Sequence, residues 1–195
     1  MAAIFDGCLA DFNDSYIKLS NEMLQLKLPP VGPAYPNTWY YARAAGVSKE
    51  DEIKTWDAIK ASQKFWRDLP AYPGTRSFLE TLREQWYWEV YFITNRMGMA
   101  PKRQTETWLN SYGYNHPTVL ISVDKAKGKI CQALDLTHYI DDKPENVLDV
   151  LRDSPTTNIT LMRRPWNTGM TRIENVPVVN DANEFLQLVQ ESERI

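Results

Sequence analysis

The chain of 195 residues is long enough for one sizeable hydrophobic core with a small inserted module, and short for two independent domains. Hydrophobic residues make up 43% of it and charged residues 24%, which is typical of a folded globular protein and excludes a disordered chain. The formal net charge of -3 offers no broad basic surface to a polymeric nucleic acid, although a small phosphorylated ligand needs only a few local donors. We therefore expect a small-molecule partner and no polymeric nucleic acid.

Cysteine usage and the N-terminal segment bear on the compartment. Cys8 and Cys131 belong to no CxxC or Cys/His cluster, which does not support zinc and favours a reducing environment. The residues after Met1 lack the basic segment and the long apolar run of a signal peptide. No stretch approaches the roughly 20 apolar residues that span a bilayer. The sequence thus predicts a cytoplasmic protein with no membrane partner, and it leaves the oligomeric state open, with a homodimer as one alternative.

The first part of the chain predicts one strand followed only by helices. Residues 2–5 are a short apolar run that predicts a buried strand ending at Asp6-Gly7. Apolar residues recur at helical spacing within residues 15–26, and four prolines interrupt the chain soon afterwards. Ser48, followed by acidic residues, predicts a helix start. The apolar residues expected on that helix and on a second helix after it are Ile53, Trp56, Ile59, Phe65 and Trp66.

From Thr75 onwards the pattern alternates between helices and strands. The predicted strands are 89–93, 118–123, 138–140, 159–162 and 176–179. The predicted helices are 78–82, 102–111, 128–136, 146–152 and 182–189. Residues 163–167 follow a strand and are predicted to be a surface loop, with a segment that borders the site as the alternative. Such alternation indicates a parallel sheet with right-handed crossovers. We therefore predict an α/β fold, a doubly wound parallel sheet formed by residues 1–13 and 74–195, with a helical cap inserted at residues 14–73.

Polar residues follow the predicted strands directly, where ligands bind in open parallel sheets. They are Asp6, Thr94, Asn95, Arg96, Lys125, Lys127, Asp141 and Asp142. Carboxylates bind hard divalent cations, and a phosphoryl group in transfer needs a cation, a lysine charge and hydroxyl or amide donors around its oxygens. The set therefore indicates phosphoryl transfer.

Each of these residues also has a simpler interpretation. Asp6-Gly7 is a common turn signal, Thr94 suits a helix cap, and acidic residues suit the start of a helix. Lysine runs are commonly solvated surface. Only the joint placement of the residues at strand ends favours the functional interpretation.

This order of residues resembles the four motifs of the haloacid dehalogenase superfamily. The first motif, DxDG, is matched in part by Ile4-Phe5-Asp6-Gly7, and the second, a Thr or Ser after a strand, by Thr94. The third is a lysine at a helix start, for which Lys127-Gly128 fits best and Lys125 is the alternative. The fourth is an acidic pair, matched by Asp141-Asp142. The continuation of the first motif in residues 8–12, and the exit from the cap in residues 65–74, resemble the 5'(3')-deoxyribonucleotidase group.

The resemblance implies a phosphatase that depends on Mg²⁺ and forms an aspartyl-phosphate intermediate. It implies that Asp6 is the general acid and base, that Thr94 donates to a phosphoryl oxygen and that Lys127 neutralises charge. The implied metal ligands are Asp6, through its carbonyl, and Asp142, together with Asp141 as a further candidate.

The expected substrate is a nucleoside monophosphate. Aromatic side chains in the cap can stack on its base, which contributes about 1–3 kcal/mol per base in proteins that bind single strands. The substrate-binding residues that we predict are Phe12, Trp39, Phe65, Asn95, Arg96 and Lys125.

One departure from the family pattern affects the chemistry. The nucleophilic aspartate stands two residues before Asp6 in the family, and Ile4 occupies that position here. Isoleucine can neither attack phosphorus nor bind a metal. Three functions remain open: a nucleotidase whose nucleophile is replaced in this chain, an inactive nucleotide or phosphate binder, and a phosphatase for another small metabolite.

Overall fold

The structure is a computed structural model that describes residues 2–4, 6–32, 38–85, 87–122, 126–169 and 173–193, with the backbone alone for residues 2–4. Its strands are β1 Ala2–Ile4, β2 Tyr91–Thr94, β3 Thr118–Ile121, β4 His138–Asp141, β5 Asn158–Met162 and β6 Val178–Val179. Its helices are α1 Phe12–Leu24, α2 Tyr41–Ala44, α3 Lys49–Ala61, α4 Thr75–Glu84, α5 Pro101–Ser111, α6 Lys127–Ala133, α7 Pro144–Asp153 and α8 Ala182–Ser192. Pro165–Asn167 adds a short 3-10 helix. Within these ranges, no helix combines the length and the apolar character that a membrane span requires.

The strands form one parallel sheet in the order β3-β2-β1-β4-β5-β6. The chain moves from β1 outward to β3 and then returns to the other side of β1 to continue with β4. Such a reversal opens a crevice at the carboxyl ends of β1 and β4, where open α/β sheets bind ligands. The predicted α/β fold with a doubly wound parallel sheet is confirmed.

The segment between β1 and α4 contributes helices and turns that pack on one another. Asp11 caps α1 by accepting from the amide of Asp14 at 3.2 Å, and Ser48 caps α3 as predicted. The entry and exit of the segment are joined, because the Asp11 amide donates to the carbonyl of Pro70 at 2.8 Å and the Tyr72 amide to the carbonyl of Leu9 at 2.9 Å. This paired backbone fixes the helical segment directly beside Asp6. The cap boundaries at residues 14 and 73 stay a prediction.

The second helix predicted around Phe65 and Trp66 is wrong, since these residues lie in turns. Side chains take the amides that a helix would use: Ser62 Oγ accepts from the Phe65 amide at 3.0 Å, and Gln104 Oε1 accepts from the Trp66 amide at 3.0 Å. Local apolar spacing predicts a helix, but one local and one tertiary hydrogen bond hold these residues in turns. The expected apolar face of α3 is also only partly buried, because Ile59 is enclosed while Ile53 is 49% exposed.

A glycine brings α6 and α7 into close contact. A Cβ at Gly128 would lie 2.3 Å from the backbone oxygen of Asp149 and 2.7 Å from the Cβ of Asp153. The Gly128 amide donates to Asp149 Oδ2 at 3.0 Å. The glycine after Lys127 therefore lets α6 pack directly against the backbone of α7.

We expect Gly128→Ala to lower the free energy of unfolding by about 1–3 kcal/mol, because the added methyl group overpacks a contact with backbone atoms. Chemical denaturation measures the change. Gly32→Ala is the matched control, since the nearest atom to its Cβ would be 4.0 Å away. Equal stabilities of the two variants would contradict the assigned role of Gly128.

Candidate functional site

A cavity of about 220 Å³ lies at the carboxyl edge of the sheet, under the helical segment. Its polar lining consists of Asp6, Thr94, Asn95, Lys127, Asp142, Lys143 and Asn146. Its apolar lining consists of Phe12, Trp39, Trp56, Trp66 and Met97. Seven of the residues predicted from strand ends and cap aromatics therefore meet in one cavity, namely Asp6, Phe12, Trp39, Thr94, Asn95, Lys127 and Asp142.

Asp6 is fixed by Thr94, the last residue of β2, and by Arg96, which follows the strand. Thr94 Oγ1 donates to Asp6 Oδ2 at 2.7 Å, and Arg96 forms a bidentate pair with the same carboxylate, with Nη2–Oδ1 at 2.5 Å and Nε–Oδ2 at 3.0 Å. The Arg96 side chain is 0% exposed and also donates to Thr105 Oγ1 at 2.8 Å. Arg96 does not line the cavity. The structure places Arg96 behind Asp6, where it binds that carboxylate, and its contact with substrate stays a prediction.

Lys127 is a buried cation without a hydrogen-bond acceptor among the described residues. Burial lowers the pKa of its ammonium group, while the charges of Asp141 and Asp6 act in the opposite direction. A buried ammonium without an acceptor is costly, and an anion in the cavity would satisfy it. The alternative motif lysine, Lys125, lies outside the described residues.

The two acids after β4 have different surroundings. Asp141 accepts hydrogen bonds from the Tyr139 hydroxyl at 3.0 Å, the Lys143 amide at 2.8 Å and Asn146 Nδ2 at 3.1 Å, and it does not line the cavity. Asp142 lines the cavity and accepts from Trp166 Nε1 at 2.9 Å through Oδ2. Asp141 therefore organises the start of α7, whereas Asp142 is available to a ligand.

Burial raises the pKa of both carboxyl groups. For Asp142, burial and then the neighbouring charge of Asp141 raise the pKa to about 7, against weaker opposing effects of Lys143 and Arg164. For Asp141, burial is the main cause and the charge of Lys127 opposes it. Adjacent buried acids of this kind gain stability from a cation.

Gly7 brings the loop after β1 against Asp142. Its φ is +80°, and a Cβ there would lie 2.2 Å from Asp142 Oδ2. Only glycine adopts this backbone conformation at no steric cost while leaving room for the carboxylate. The loop that carries Asp6 and the carboxylate of Asp142 thus form one wall of the cavity.

The segment Arg163–Asn167, predicted to be a surface loop, is largely buried beneath the site, so that prediction is wrong. Arg164 donates to the carbonyl of Gly7 through Nε at 2.5 Å and to that of Cys8 through Nη2 at 3.1 Å. Asn167 Nδ2 donates to the Asp142 carbonyl at 2.8 Å. The segment follows β5 at the same sheet edge as the other site residues, and these contacts agree with the alternative interpretation that it borders the site.

Phe12 is the centre of the aromatic part of the cavity. Its ring stacks on Trp39, Trp56 and Trp66 at centroid distances of 5.9, 5.6 and 5.5 Å. Phe65 packs edge-on against Phe12 at 6.1 Å and does not line the cavity, and its contact with substrate stays a prediction. Trp56, which the sequence predicts only as an apolar residue of a helix, also lines the cavity.

Lys143 connects the polar and the aromatic parts of the cavity. Its Nζ lies 3.5 Å from the ring centroid of Trp39, a cation–π contact between the chain after β4 and the segment before α2. Sequence reasoning passed over Lys143 because it lies beyond the acidic pair that ends the strand.

The oxygen ligands that the cavity offers to a divalent cation come from Asp6 and Asp142. Hard cations such as Mg²⁺ take carboxylate and carbonyl oxygens. The raised pKa of Asp142 and the close approach of Asp142 to Gly7 fit a cation at this wall. The unpaired ammonium of Lys127 fits an anion beside it.

Replacing Arg96 by Met should lower the free energy of unfolding by about 3 kcal/mol, because a largely buried carboxylate loses its partner. The double variant Asp6→Asn/Arg96→Met should lose less than the sum of the two single variants. Arg67→Met is the matched control, since the Arg67–Asp68 pair is 45% and 50% exposed and such pairs contribute little. Additive losses in a denaturation cycle would contradict the coupling.

In the presence of a chelator, Asp142→Asn should raise the unfolding temperature at pH 8 and change it less at pH 5. The folded-state pKa of about 7 exceeds the usual value of 3.8, so folding takes up a proton and loses stability as pH rises between these values. Asparagine removes this dependence and keeps an oxygen for Trp166. A thermal shift that is equal at both pH values would contradict the raised pKa.

Comparisons with known proteins agree with this architecture. The chain is 38% identical over 147 residues to an Oceanobacillus iheyensis protein named "Putative nucleotidase OB0422". The aligned region covers 72% of each of the two chains. No protein-family model matches the chain.

Solved structures show the same fold at low sequence identity. A Lactobacillus plantarum protein described as a "putative phosphoglycolate phosphatase" superposes with a TM-score of 0.61 at 14% identity, covering 96% of this chain and 97% of that one. A haloacid dehalogenase-like family hydrolase from Xanthomonas campestris superposes with a TM-score of 0.60 at 12% identity, covering 97% and 93%. Together with the relative at 38% identity, they show that the chain belongs to the haloacid dehalogenase superfamily, as a nucleotidase-like phosphatase.

Proposed function

We propose that the protein has the site of a Mg²⁺-dependent phosphohydrolase for nucleoside monophosphates, in which Ile4 occupies the position of the nucleophile. The observation that carries the proposal is that one cavity joins a charged end to an aromatic end. Asp6, Thr94, Lys127 and Asp142 line the first, and stacked rings around Phe12 line the second. A nucleoside monophosphate has the same division between an anionic phosphate and a flat base.

The charged end suits a phosphate group bound beside a cation. Lys127 supplies a buried positive charge that lacks an acceptor among the described residues. Thr94 supplies a hydroxyl that currently donates to Asp6 at 2.7 Å and can turn to a phosphoryl oxygen. Asp142 and Asp6 would hold Mg²⁺, which supplies charge neutralisation and orientation of the phosphate when bound.

The aromatic end suits a base. The rings of Phe12 and Trp39 are nearly parallel, with an interplanar angle of 10°, and both line the cavity. Apolar faces at one end and a few charged groups at the other are the usual composition of a small-molecule site. The name of the Oceanobacillus iheyensis relative, a nucleotidase, supports the same substrate class.

Ile4 favours a second function, which is nucleotide binding without turnover. The family reaction begins when a carboxylate two residues before Asp6 attacks phosphorus, breaks the ester bond and forms an acyl phosphate. A second carboxylate, here Asp6, donates a proton to the leaving oxygen and later accepts one from water. The backbone of Ile4 pairs with Ile93, one residue before Thr94, so position 4 lies at the sheet edge where that attack would begin.

The test is phosphate release from a panel of deoxyribonucleoside and ribonucleoside monophosphates and sugar phosphates with Mg²⁺. The unmodified chain is compared with Ile4→Asp, and with Ile4→Asp/Asp6→Asn. We expect Ile4→Asp to release phosphate from nucleotides at least about 100-fold faster than the unmodified chain, because general acid–base catalysis and the covalent step both need their carboxylates. The double variant should lose that gain.

If nucleotides stabilise the protein against heat but no variant releases phosphate, the function is nucleotide binding and not hydrolysis. Faster release from sugar phosphates than from nucleotides would contradict the substrate class. Neither stabilisation nor release with nucleotides would contradict the proposal entirely.

A further inference from the structure

The chain after β5 touches Asp142 from two sides. Trp166 Nε1 donates to the side-chain oxygen Oδ2 at 2.9 Å, and Asn167 Nδ2 donates to the backbone oxygen at 2.8 Å. Asn167 also donates to the Met162 carbonyl at 2.8 Å, which anchors the segment to the end of β5. All of these groups are buried, with Trp166 4% and Asp142 1% exposed.

These contacts leave the two oxygens of the Asp142 carboxylate in different states. Oδ2 holds the indole N–H, whereas no donor among the described residues bonds to Oδ1. Gly7 lies directly against the Asp142 carboxylate, since a Cβ at Gly7 would overlap both of its oxygens. The carboxylate therefore has one oriented position, with a single oxygen left for a ligand in the cavity.

The indole itself is held from the side of the helical segment. The ring of Trp39 packs edge-on against Trp166 with centroids 5.2 Å apart and an interplanar angle of 84°. Lys143, the residue next to Asp142, makes its cation–π contact with the face of the same Trp39 ring. Trp39, which lines the cavity, thus contacts the indole that binds the Asp142 carboxylate.

We propose that Trp166 is the positioning residue of the metal site. Its N–H fixes Oδ2 of Asp142 so that Oδ1 points to a divalent cation, and Trp39 keeps the indole in place. This inference rests on the proposed function, because it takes Asp142 to be a Mg²⁺ ligand. Hydrogen-bond partners of metal ligands typically change metal affinity by about 10–100-fold when they are removed.

The test measures Mn²⁺ binding to the metal-free full chain by electron paramagnetic resonance, with Mg²⁺ as competitor. Trp166→Phe removes the N–H and keeps an aromatic ring, and we expect it to weaken Mn²⁺ binding by about 10-fold. Trp56→Phe is the matched control, because Trp56 lines the same cavity and makes no hydrogen bond to Asp142. Asp142→Asn serves as the reference for a lost ligand.

A second pair of variants separates the hydrogen bond from packing. Trp166→Gln and Trp166→Leu are similar in size and both lose the ring, but only glutamine can donate to Asp142. We expect tighter Mn²⁺ binding by the glutamine variant at equal unfolding temperature of the metal-free proteins. A role limited to packing would leave the two affinities equal.

The outcomes distinguish this inference from the proposed function. If the unmodified chain binds Mn²⁺, and Asp142→Asn weakens that binding while Trp166→Phe leaves it unchanged, the role of Trp166 alone is overturned. No displaceable Mn²⁺ binding by the unmodified chain would overturn both. The assignment is supported if Trp166→Phe weakens Mn²⁺ binding and Trp56→Phe does not. It also requires that Trp166→Gln binds Mn²⁺ more tightly than Trp166→Leu.

Discussion

The ion pair between Asp6 and Arg96 is the contact on which the site depends. The guanidinium group is fully enclosed and binds the carboxylate bidentately, and its remaining donors reach Thr105 in α5 and the carbonyl of Trp66. One side chain therefore joins the loop after β1, the end of β2, a helix of the core and the exit of the helical segment. Because a buried charge must be paired, these parts cannot separate without a large cost in free energy.

The fold uses adjacent acids for different purposes. Asp141 accepts three hydrogen bonds and stabilises the start of α7, so its oxygens are committed to the protein. Asp142 faces the cavity, with a raised pKa that reflects burial and the charge beside it. An acidic pair that looks symmetrical in the sequence is thus divided into a structural residue and a residue that lines the cavity.

Family membership and chemistry are separate questions for this chain. The sheet order, the paired entry and exit of the helical segment and the lining of the cavity agree with a nucleotidase-like phosphatase. In the proposed function, Ile4 lacks the reacting carboxylate, while the groups proposed to bind phosphate, cation and base line the cavity. A fold of this kind keeps its binding groups when a single reacting atom is lost, because each group is held by a different element.

The sequence by itself determined the fold class and the residues that meet at the cavity. Alternating helices and strands require a parallel sheet, and parallel strands bring their carboxyl ends to one edge, so Asp6, Thr94, Lys127 and Asp142 had to converge. Only the tertiary structure decided which neighbours serve them. Arg96 and Trp166 turn inward because buried carboxylates need donors, and the turns at Phe65 and Trp66 replace a helix because Ser62 and Gln104 take their amides. Apart from Ser62, these partners come from distant parts of the chain, and local spacing carries no record of them.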